Sequence, residues 1–590
     1  MTMNAEIKEC QNCKHEFTIE PDDFSFYERM QVPPPTWCPE CRRQRRFVWR
    51  NERSLYKRKS DLSGKDIICL YSPDKPFKVY EQKEWWGDDW DAMSYGRAYN
   101  FSKPFFEQFR ELQREVPRIS ISNQKCVNSD YTNQSYSNKN CYLCFSIADS
   151  EDCIYSANIN ESKQLLDDLY VSKSELLYEC VDADQCYNSS FLVNSDNCLN
   201  SAFLFDCKSC QNCTGCVGLR NKQYVFWGEQ LSKEEYEKKI KDLHLDTYDG
   251  REMAKAKFAD LILKFPRKSQ RFKKCVNSTG DLLTNCKNVK WGFSAYDLED
   301  CRYITRIYTC KDTHDSYGLG EAELIYETIG NQTVYNVKFA NITSDSRNCT
   351  YSDLCFNSEN CFGCIGLKKK QYCILNKQYS KEEYEALIPK IIQQMNDMPY
   401  TDGKGRVYKY GEFFPIELSP FAYNETIAQE NFPLTKEEIQ ARKYIWKDPE
   451  KRDYKVTMKS SDLPGSIAET DDSILNQVIE CAHNEQCSEQ CTQAFRITPE
   501  ELSFYRRMNL PLPRLCPNCR HYQRLAERNP LELWHRKCQC AGTKSENGVY
   551  ANTASHTHGE NHCPNEFETS YPEGGKEIVY CEDCYNAEVV

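Results

Sequence analysis

The first residues with chemistry to offer are Cys10, Cys13, Cys38 and Cys41, two Cys-x2-Cys pairs close to the start of the chain. Pairs at this spacing let four thiolates converge on one tetrahedral ion, and a closed, all-thiolate donor set suits Zn2+. Pro39 narrows the freedom of the second turn, whose N–H groups can bond to sulfur. A module this small buries too little core to fold alone, so the free energy of metal binding becomes folding free energy. A matching set stands near the other end: Cys487 and Cys491, with three residues between them, then Cys516-Pro-Asn-Cys519. Cys481 lies outside that pattern and reads as a packing residue.

The two ends are copies of one module. Cys13 matches Cys491, Phe17 matches Phe495, Ile19 matches Ile497, Phe26-Tyr27 match Phe504-Tyr505, and the step from Cys13 to Cys38 equals that from Cys491 to Cys516. Past Cys519 the copy continues to Cys538 and Cys540; past Cys41, at the same distance, stand Ser60 and Ser63. Val579-Tyr580-Cys581-x2-Cys584 likewise matches Val79-Tyr80-Glu81-x2-Glu84. The C-terminal copy is therefore expected to hold a second ion on Cys538, Cys540, Cys581 and Cys584. The N-terminal copy is expected to lack one, because serine is a poor zinc ligand and two glutamates bind weakly. Trp85 and Trp86 offer a packed apolar substitute there. Cys563 and His562 are rivals for the places of Cys538 or Cys540, since Cys563-Pro-Asn-Glu-Phe567 repeats Cys13-Lys-His-Glu-Phe17. The expected cofactor is zinc, about three ions in all.

The run C-x2-C-x3-F, then Phe-Tyr, then P-x-x-CPxCR resembles the probable zinc-ribbon family of small, treble-clef-like bacterial domains. The whole layout resembles uncharacterised zinc-ribbon proteins with Cys/Asn-rich solenoid repeats from ultrasmall bacteria. In that group the positions of Ser60, Ser63, Glu81 and Glu84 are often cysteines, and this chain departs there. The resemblance implies zinc and a ribbon; it implies no substrate.

The elements that must position these cysteines are themselves repeated. Lys125-Cys-Val-Asn-Ser129 recurs as Lys274-Cys-Val-Asn-Ser278, and NCTGCVGLRNKQY (212–224) recurs as NCFGCIGLKKKQY (360–372), so two copies run in tandem at an offset of 148–149 residues. Inside each copy, short Cys-, Asn- and Ser-rich strands return every 8–15 residues. Each is too short and polar to bury a face alone, and stacking them coil on coil builds a continuous core. The fold class expected is mainly β with helical connectors: two tandem β-solenoid segments flanked by duplicated zinc-ribbon domains. The boundaries are a ribbon with a basic extension (1–60), a degenerate second-site region with an amphipathic helix (61–120), solenoid copy 1 (121–230), a helical connector (231–269), solenoid copy 2 (270–380), a helical or irregular connector (381–480), and a ribbon with a second zinc site (481–590). Ser232 and Ser380, with Glu235 and Glu383 three residues on, have capping-box spacing. Cys207, Cys210, Cys213 and Cys216 would suggest a cluster, but at the same offset Ser358 stands where the second copy should repeat Cys210, so a packing ladder is preferred.

Thirty-five cysteines among 590 residues, with no apolar leader and no run of apolar residues long enough to cross a membrane, point to a reducing cytoplasm and metal rather than disulfides. The net charge of −12 disfavours a general nucleic-acid coat. Residues 42–59 nonetheless hold nine Lys/Arg against one acid, and Arg42, Arg43, Arg45, Arg46, Arg50 and Arg53 with Phe47, Trp49 and Tyr56 could form a basic, aromatic stripe for nucleic acid or a ribosome. The leading expectation is instead a non-enzymatic scaffold or adaptor that binds a protein partner through the solenoid surface. No Gly-rich phosphate loop, HExxH or GxSxG motif stands in the chain, so a zinc hydrolase or polysaccharide-active enzyme ranks below both, as does redox sensing by the solenoid thiols.

Overall fold

The computed structural model describes residues 4–450, except 324, 325, 336, 337 and 342, and residues 454–589, except 485. The chain is mainly β, with two β-solenoid segments, helical connectors and cysteine-rich groups toward both ends. No described helix is long and apolar enough to cross a membrane.

The solenoids are built on a strict local rule. Through the first copy nearly every third residue has a positive φ, as in Asp152 (55°), Tyr155 (51°), Asn158 (60°) and Glu161 (47°). Each such residue turns a corner. Strand partners lie 12 residues apart, as in Ala157↔Leu169 and Val171↔Ala183, so a coil has four three-residue sides. A left-handed conformation costs an L-residue about 1–2 kcal/mol, which explains the many Asn and Asp corners. It is sustained because each coil is hydrogen-bonded to the next through parallel ladders.

The residue after each corner points inward. Cys141, Cys144, Ile147 and Ser150 fill one coil, and Cys153, Ser156, Ile159 and Ser162 fill the next; all are buried. Four side chains must share a narrow lumen, so slim residues dominate. Ser150 Oγ accepts the N–H of Ser162 at 3.1 Å, and Ser162 Oγ accepts that of Ser174 at 3.1 Å, which satisfies amides the corners leave free. Buried thiols donate to main-chain carbonyls nine residues further along the coil, as Cys207 does to Cys216 at 3.6 Å. Cys207, Cys210, Cys213 and Cys216 are the four inward residues of one coil, and their sulfurs do not gather within 4.8 Å of one another. In copy 2 the first coil is shorter, Val276 pairing with Lys287. That one missing residue is why the repeat offset drops from 149 to 148.

Each solenoid is closed by a hairpin and a helix. Val225–Phe226 pairs with Glu229–Gln230 before helix Lys233–Asp242, and Gln371–Ile374 pairs with Lys377–Gln378 before helix Lys381–Asp397. Ser232 and Ser380 cap these helices with Glu235 and Glu383 in reciprocal capping boxes. The amphipathic stretch after Pro104 forms helix Phe105–Glu115, with Phe105, Phe106, Phe109 and Leu112 buried.

The chain divides into two compact units: Met1–Ile121 with Gln270–Asp448, and Ser122–Ser269 with Pro449–Val590. Each cysteine module thus belongs with the solenoid remote from it in sequence. In the first unit, helix Pro39–Phe47 lies along a column of solenoid corners. Arg42 and Arg46, one turn apart, both grip Asp315, at 2.9 and 3.0 Å. In the second unit, helix Pro517–Ala526 repeats the clamp: Arg520 and Arg524 grip Asp167, at 3.2 and 2.9 Å. Tyr303 stacks under Arg42 at 5.2 Å, and Tyr155 under Arg520 at 5.1 Å.

This corrects the reading of residues 42–59 as a surface stripe. Arg42, Arg43, Arg45 and Arg46 are each at most 1% exposed. Arg45 binds Glu327 at 2.6 Å and Glu412 at 2.7 Å, Arg43 lies over Phe293, Arg50 binds Glu52, and Arg53 approaches Glu430. Their partners lie 250 or more residues away in the chain for all but Arg50, so no local pattern announces the burial. The modules also dock on the flank of a solenoid rather than capping its end.

Burial alone would raise the Asp315 carboxyl, but the charges of Arg42 and Arg46 hold it below its ordinary range. Its stabilisation is therefore present above the unfolded-state pKa of about 3.9 and is lost as pH falls through the lower folded value. Asp315→Asn should cost about 3–5 kcal/mol at neutral pH, because two buried guanidinium groups lose their shared partner. Arg42→Met/Arg46→Met/Asp315→Leu should recover most of that loss. Guanidinium unfolding of the three chains checks both statements; a single-variant cost under about 1 kcal/mol would refute the clamp.

Candidate metal centres

Among the described residues, three groups of four cysteines converge. Cys10, Cys13, Cys38 and Cys41 form the first; Cys481, Cys491, Cys516 and Cys519 the second; Cys538, Cys563, Cys581 and Cys584 the third. Within each, all sulfurs lie within 4.8 Å of one another. Sulfurs 2.3 Å from a tetrahedral ion would stand about 3.8 Å apart. The close pairs match: Cys13–Cys38 at 3.8 Å, Cys516–Cys519 at 3.5 Å and Cys563–Cys581 at 3.8 Å. The donor atoms fit a closed four-thiolate ion.

One local plan builds all three. A hairpin delivers the first pair of ligands: Glu6–Glu9 with Glu16–Ile19, Ile479–Glu480 with Ala494–Phe495, and Trp534–Lys537 with Glu566–Thr569. A helix start delivers the second pair: Cys38 and Cys516 occupy the extended N-cap position, with proline at N1. The backbone N–H of the third cysteine then donates to the first sulfur, at 3.2 Å in every case: Cys38 to Cys10, Cys516 to Cys481, and Cys581 to Cys538. Negative charge at a helix N-terminus is favourable, so thiolates suit these positions. One thiol in each group is pulled below its ordinary range by hydrogen bonds from its neighbours: Cys10 by Cys38 and Cys41, Cys516 by Cys481 and Cys519, and Cys581 by Cys538, to about 4.

The shared plan corrects two assignments. Cys481, read as packing, occupies the place of Cys10, while Cys487 stands apart, 3.9 Å from Cys519, in a group with His483 and Glu489. The turn between the first two ligands has two residues in one module and a nine-residue loop in the other, and Cys487 rides on that loop. Glu9-Cys10 and Glu480-Cys481 were the legible signal, each a strand end followed by a ligand. Cys563 likewise takes the place expected of Cys540, in keeping with its repeat of the Cys13-x2-Glu-Phe pattern. Cys540 falls instead in a group with His556, His558 and Cys584. His562 bonds to its neighbour's carbonyl, Cys563 O, at 3.1 Å.

The fourth occurrence of the plan carries no thiol at its four ligand positions. Hairpin Tyr56–Lys59 with Asp66–Cys69 leads to Val79–Tyr80 and helix Gln82–Trp86. Here the Glu81 N–H approaches Ser60 Oγ at 3.4 Å, the same bond that Cys581 makes to Cys538. Ser60 donates to Glu84 at 2.5 Å, and Glu81 caps the helix. Burial opposes charge on Glu84, but the Ser60 and Ser63 hydroxyls hold its carboxyl below the ordinary range. Hydrogen bonds close this site as metal would close its counterpart. Trp85, fully buried, packs on Phe356 and Trp90, which supplies the apolar support.

Elemental analysis of single variants separates these ligand sets. Cys481→Ser and Cys563→Ser should each release one equivalent of metal, whereas Cys487→Ser should retain the full complement. Converting the hydrogen-bonded site with Ser60→Cys/Ser63→Cys/Glu81→Cys/Glu84→Cys should add one equivalent; no gain would mean that its geometry differs from that of Cys538, Cys563, Cys581 and Cys584. No protein-family model matches the chain, and the search of curated proteins finds no match.

Proposed function

We propose that the protein is a non-enzymatic scaffold: zinc-ribbon, treble-clef-like modules hold the two solenoids, and the solenoid flanks bind protein partners. The observation that carries this reading is the internal use of the reactive groups. The arginines that would meet phosphate are buried against Asp315, Glu327 and Glu412, and most of the thiols lie in four-cysteine groups or coil interiors. What faces solvent is a regular flank of stacked side chains, such as Lys139–Glu151–Lys163 and Lys287–Glu299–Lys311. Tyr187 and Leu199 stand exposed among them, beside an open groove of the first solenoid lined also by Lys163 and Glu175. Repeated, regularly spaced surface of this kind is the usual recognition face of solenoid proteins.

The discriminating experiment uses the full chain in two arms. Crosslinking in the native cell should recover proteins that are lost with Tyr187→Ser/Leu199→Ser, a variant expected to keep its metal and its thermal transition. Titration with RNA and duplex DNA at low salt should show no salt-dependent binding. Salt-dependent binding, or crosslinks unaffected by the variant, would remove the scaffold reading.

A further inference from the structure

Two residues separate Ser60 from Ser63, against 24 between Cys538 and Cys563. The inserted loop has almost no core of its own. Its large apolar residues are Val549, which is 54% exposed, and Tyr550. Loops of this length and polarity need something else to order them. Here the buried residues are polar: Cys540 is fully buried, and the His556 side chain is 1% exposed.

These two side chains meet His558 and Cys584, and the four donor atoms lie within 4.8 Å of one another. Cys540 Sγ is 3.7 Å from His556 Nδ1, and His558 Nε2 is 3.2 Å from Cys584 Sγ. A second, independent observation concerns the far nitrogen of each ring. His556 Nε2 is 2.8 Å from Glu588 Oε1, and His558 Nδ1 is 2.7 Å from the carbonyl of Asn561. Both acceptors call for an N–H on those nitrogens, and in the neutral rings Nδ1 of His556 and Nε2 of His558 are then the lone-pair atoms, each facing a sulfur. An orienting carboxylate or carbonyl behind each imidazole is the arrangement that metal-bound histidines use. Glu588 is itself fixed, accepting from Thr553 N at 2.8 Å, Thr553 Oγ1 at 2.7 Å and Tyr550 at 3.0 Å. Asn552 donates to Cys540 Sγ at 3.1 Å, as suits a thiolate.

Cys584 belongs to this group and to the four-cysteine group of Cys538, Cys563 and Cys581. We propose that the C-terminal module holds two metal ions bridged by the Cys584 thiolate, the second bound by Cys540, His556 and His558. This rests on the reading that the four-cysteine group holds zinc. Two thiolates and two imidazoles suit Zn2+, and four protein donors leave no position for a substrate, so the second ion orders the insertion rather than performing catalysis. Burying the bridging sulfur between two cations offsets the charge of a site that would otherwise concentrate thiolates.

Metal counting by native mass spectrometry on the full chain, with 113Cd NMR of the cadmium-exchanged protein, tests the pair. The wild type should carry one ion more than both Cys540→Ser and His558→Asn, and the milder His558→Asn guards against a loop that fails to fold. Two cadmium resonances should be scalar-coupled through the shared sulfur, and both variants should abolish the coupling. Equal metal counts in wild type and variants would overturn the second ion while leaving the four-cysteine site standing. An extra ion without coupling would overturn the bridge. If Cys563→Ser also lost nothing, the underlying zinc reading would fall instead.

Discussion

The fold depends on a corner placed at every third residue. A left-handed turn taken by ordinary residues is locally unfavourable, so the coil exists only as a stack in which each corner is fixed by its neighbours 12 residues away. Everything else follows from that spacing. The residue after each corner must fit a narrow lumen, which selects mostly Cys and Ser, with Ile and Leu such as Ile147, Ile159, Leu165 and Leu177 filling the rest. The corner residues align in straight columns on the flank. One such column carries Tyr303, Asp315 and Glu327, and its counterpart carries Tyr155, Asp167 and Glu179. A helix laid beside a column meets the same carboxylate with residues one turn apart, and Arg42/Arg46 and Arg520/Arg524 do so.

The four-cysteine group and the clamp are mechanically one device. The helix that carries Arg42 and Arg46 begins at Cys38, and Cys41 immediately precedes Arg42. Four donors converging on one ion would fix the first turn of that helix, and with it the direction of both guanidinium groups. The second unit repeats the coupling through Cys516, Cys519, Arg520 and Arg524. Such a pair of arginines is costly to bury unless its partner is already in place. A preformed helix start therefore lowers the ordering cost of docking. This explains why a small module with little core can hold a buried ionic contact.

Much of this was legible in the residues, and the exceptions have physical causes. Duplication exposed the end modules, the tandem solenoids and the Ser/Glu counterpart of a cysteine site, because those comparisons use only order and spacing. Cys481 and Cys563 were obscured because insertions separate them from their partner ligands, so a search for close cysteine pairs selects Cys487 and Cys540 instead. Strand register restores them: the residue after Glu9 and the residue after Glu480 leave their hairpins at the same point. The arginines were misread for a different reason. A basic run is exposed or buried according to whether carboxylates meet it, and Asp315, Glu327 and Glu412 come from distant turns of the chain.

The pairing of each module with the solenoid remote from it also has a basis in charge. Both solenoids offer the gripped aspartate, so the clamp alone does not sort them. The next corner does. Glu327 is buried and is matched by Arg45, whose place in the other module is taken by Gln523. Seating the C-terminal module on the second solenoid would put an amide in place of the close ion pair and leave that buried carboxylate only a longer contact like the one Arg46 makes at 3.9 Å, a loss of several kcal/mol. Glu179, the equivalent corner of the first solenoid, does not need the module at all, because Lys255 from the neighbouring helix reaches it at 2.7 Å. One corner further on, Arg528 meets Asp182 at 3.1 Å, whereas Arg50 lies against Gly330, where an added Cβ would collide with its guanidinium. Specificity thus resides less in the shared contact than in the cost of the wrong one. Duplicated modules and duplicated solenoids could diverge at Arg45/Gln523 and Asp182/Gly330 while the metal sites and the clamp stayed the same.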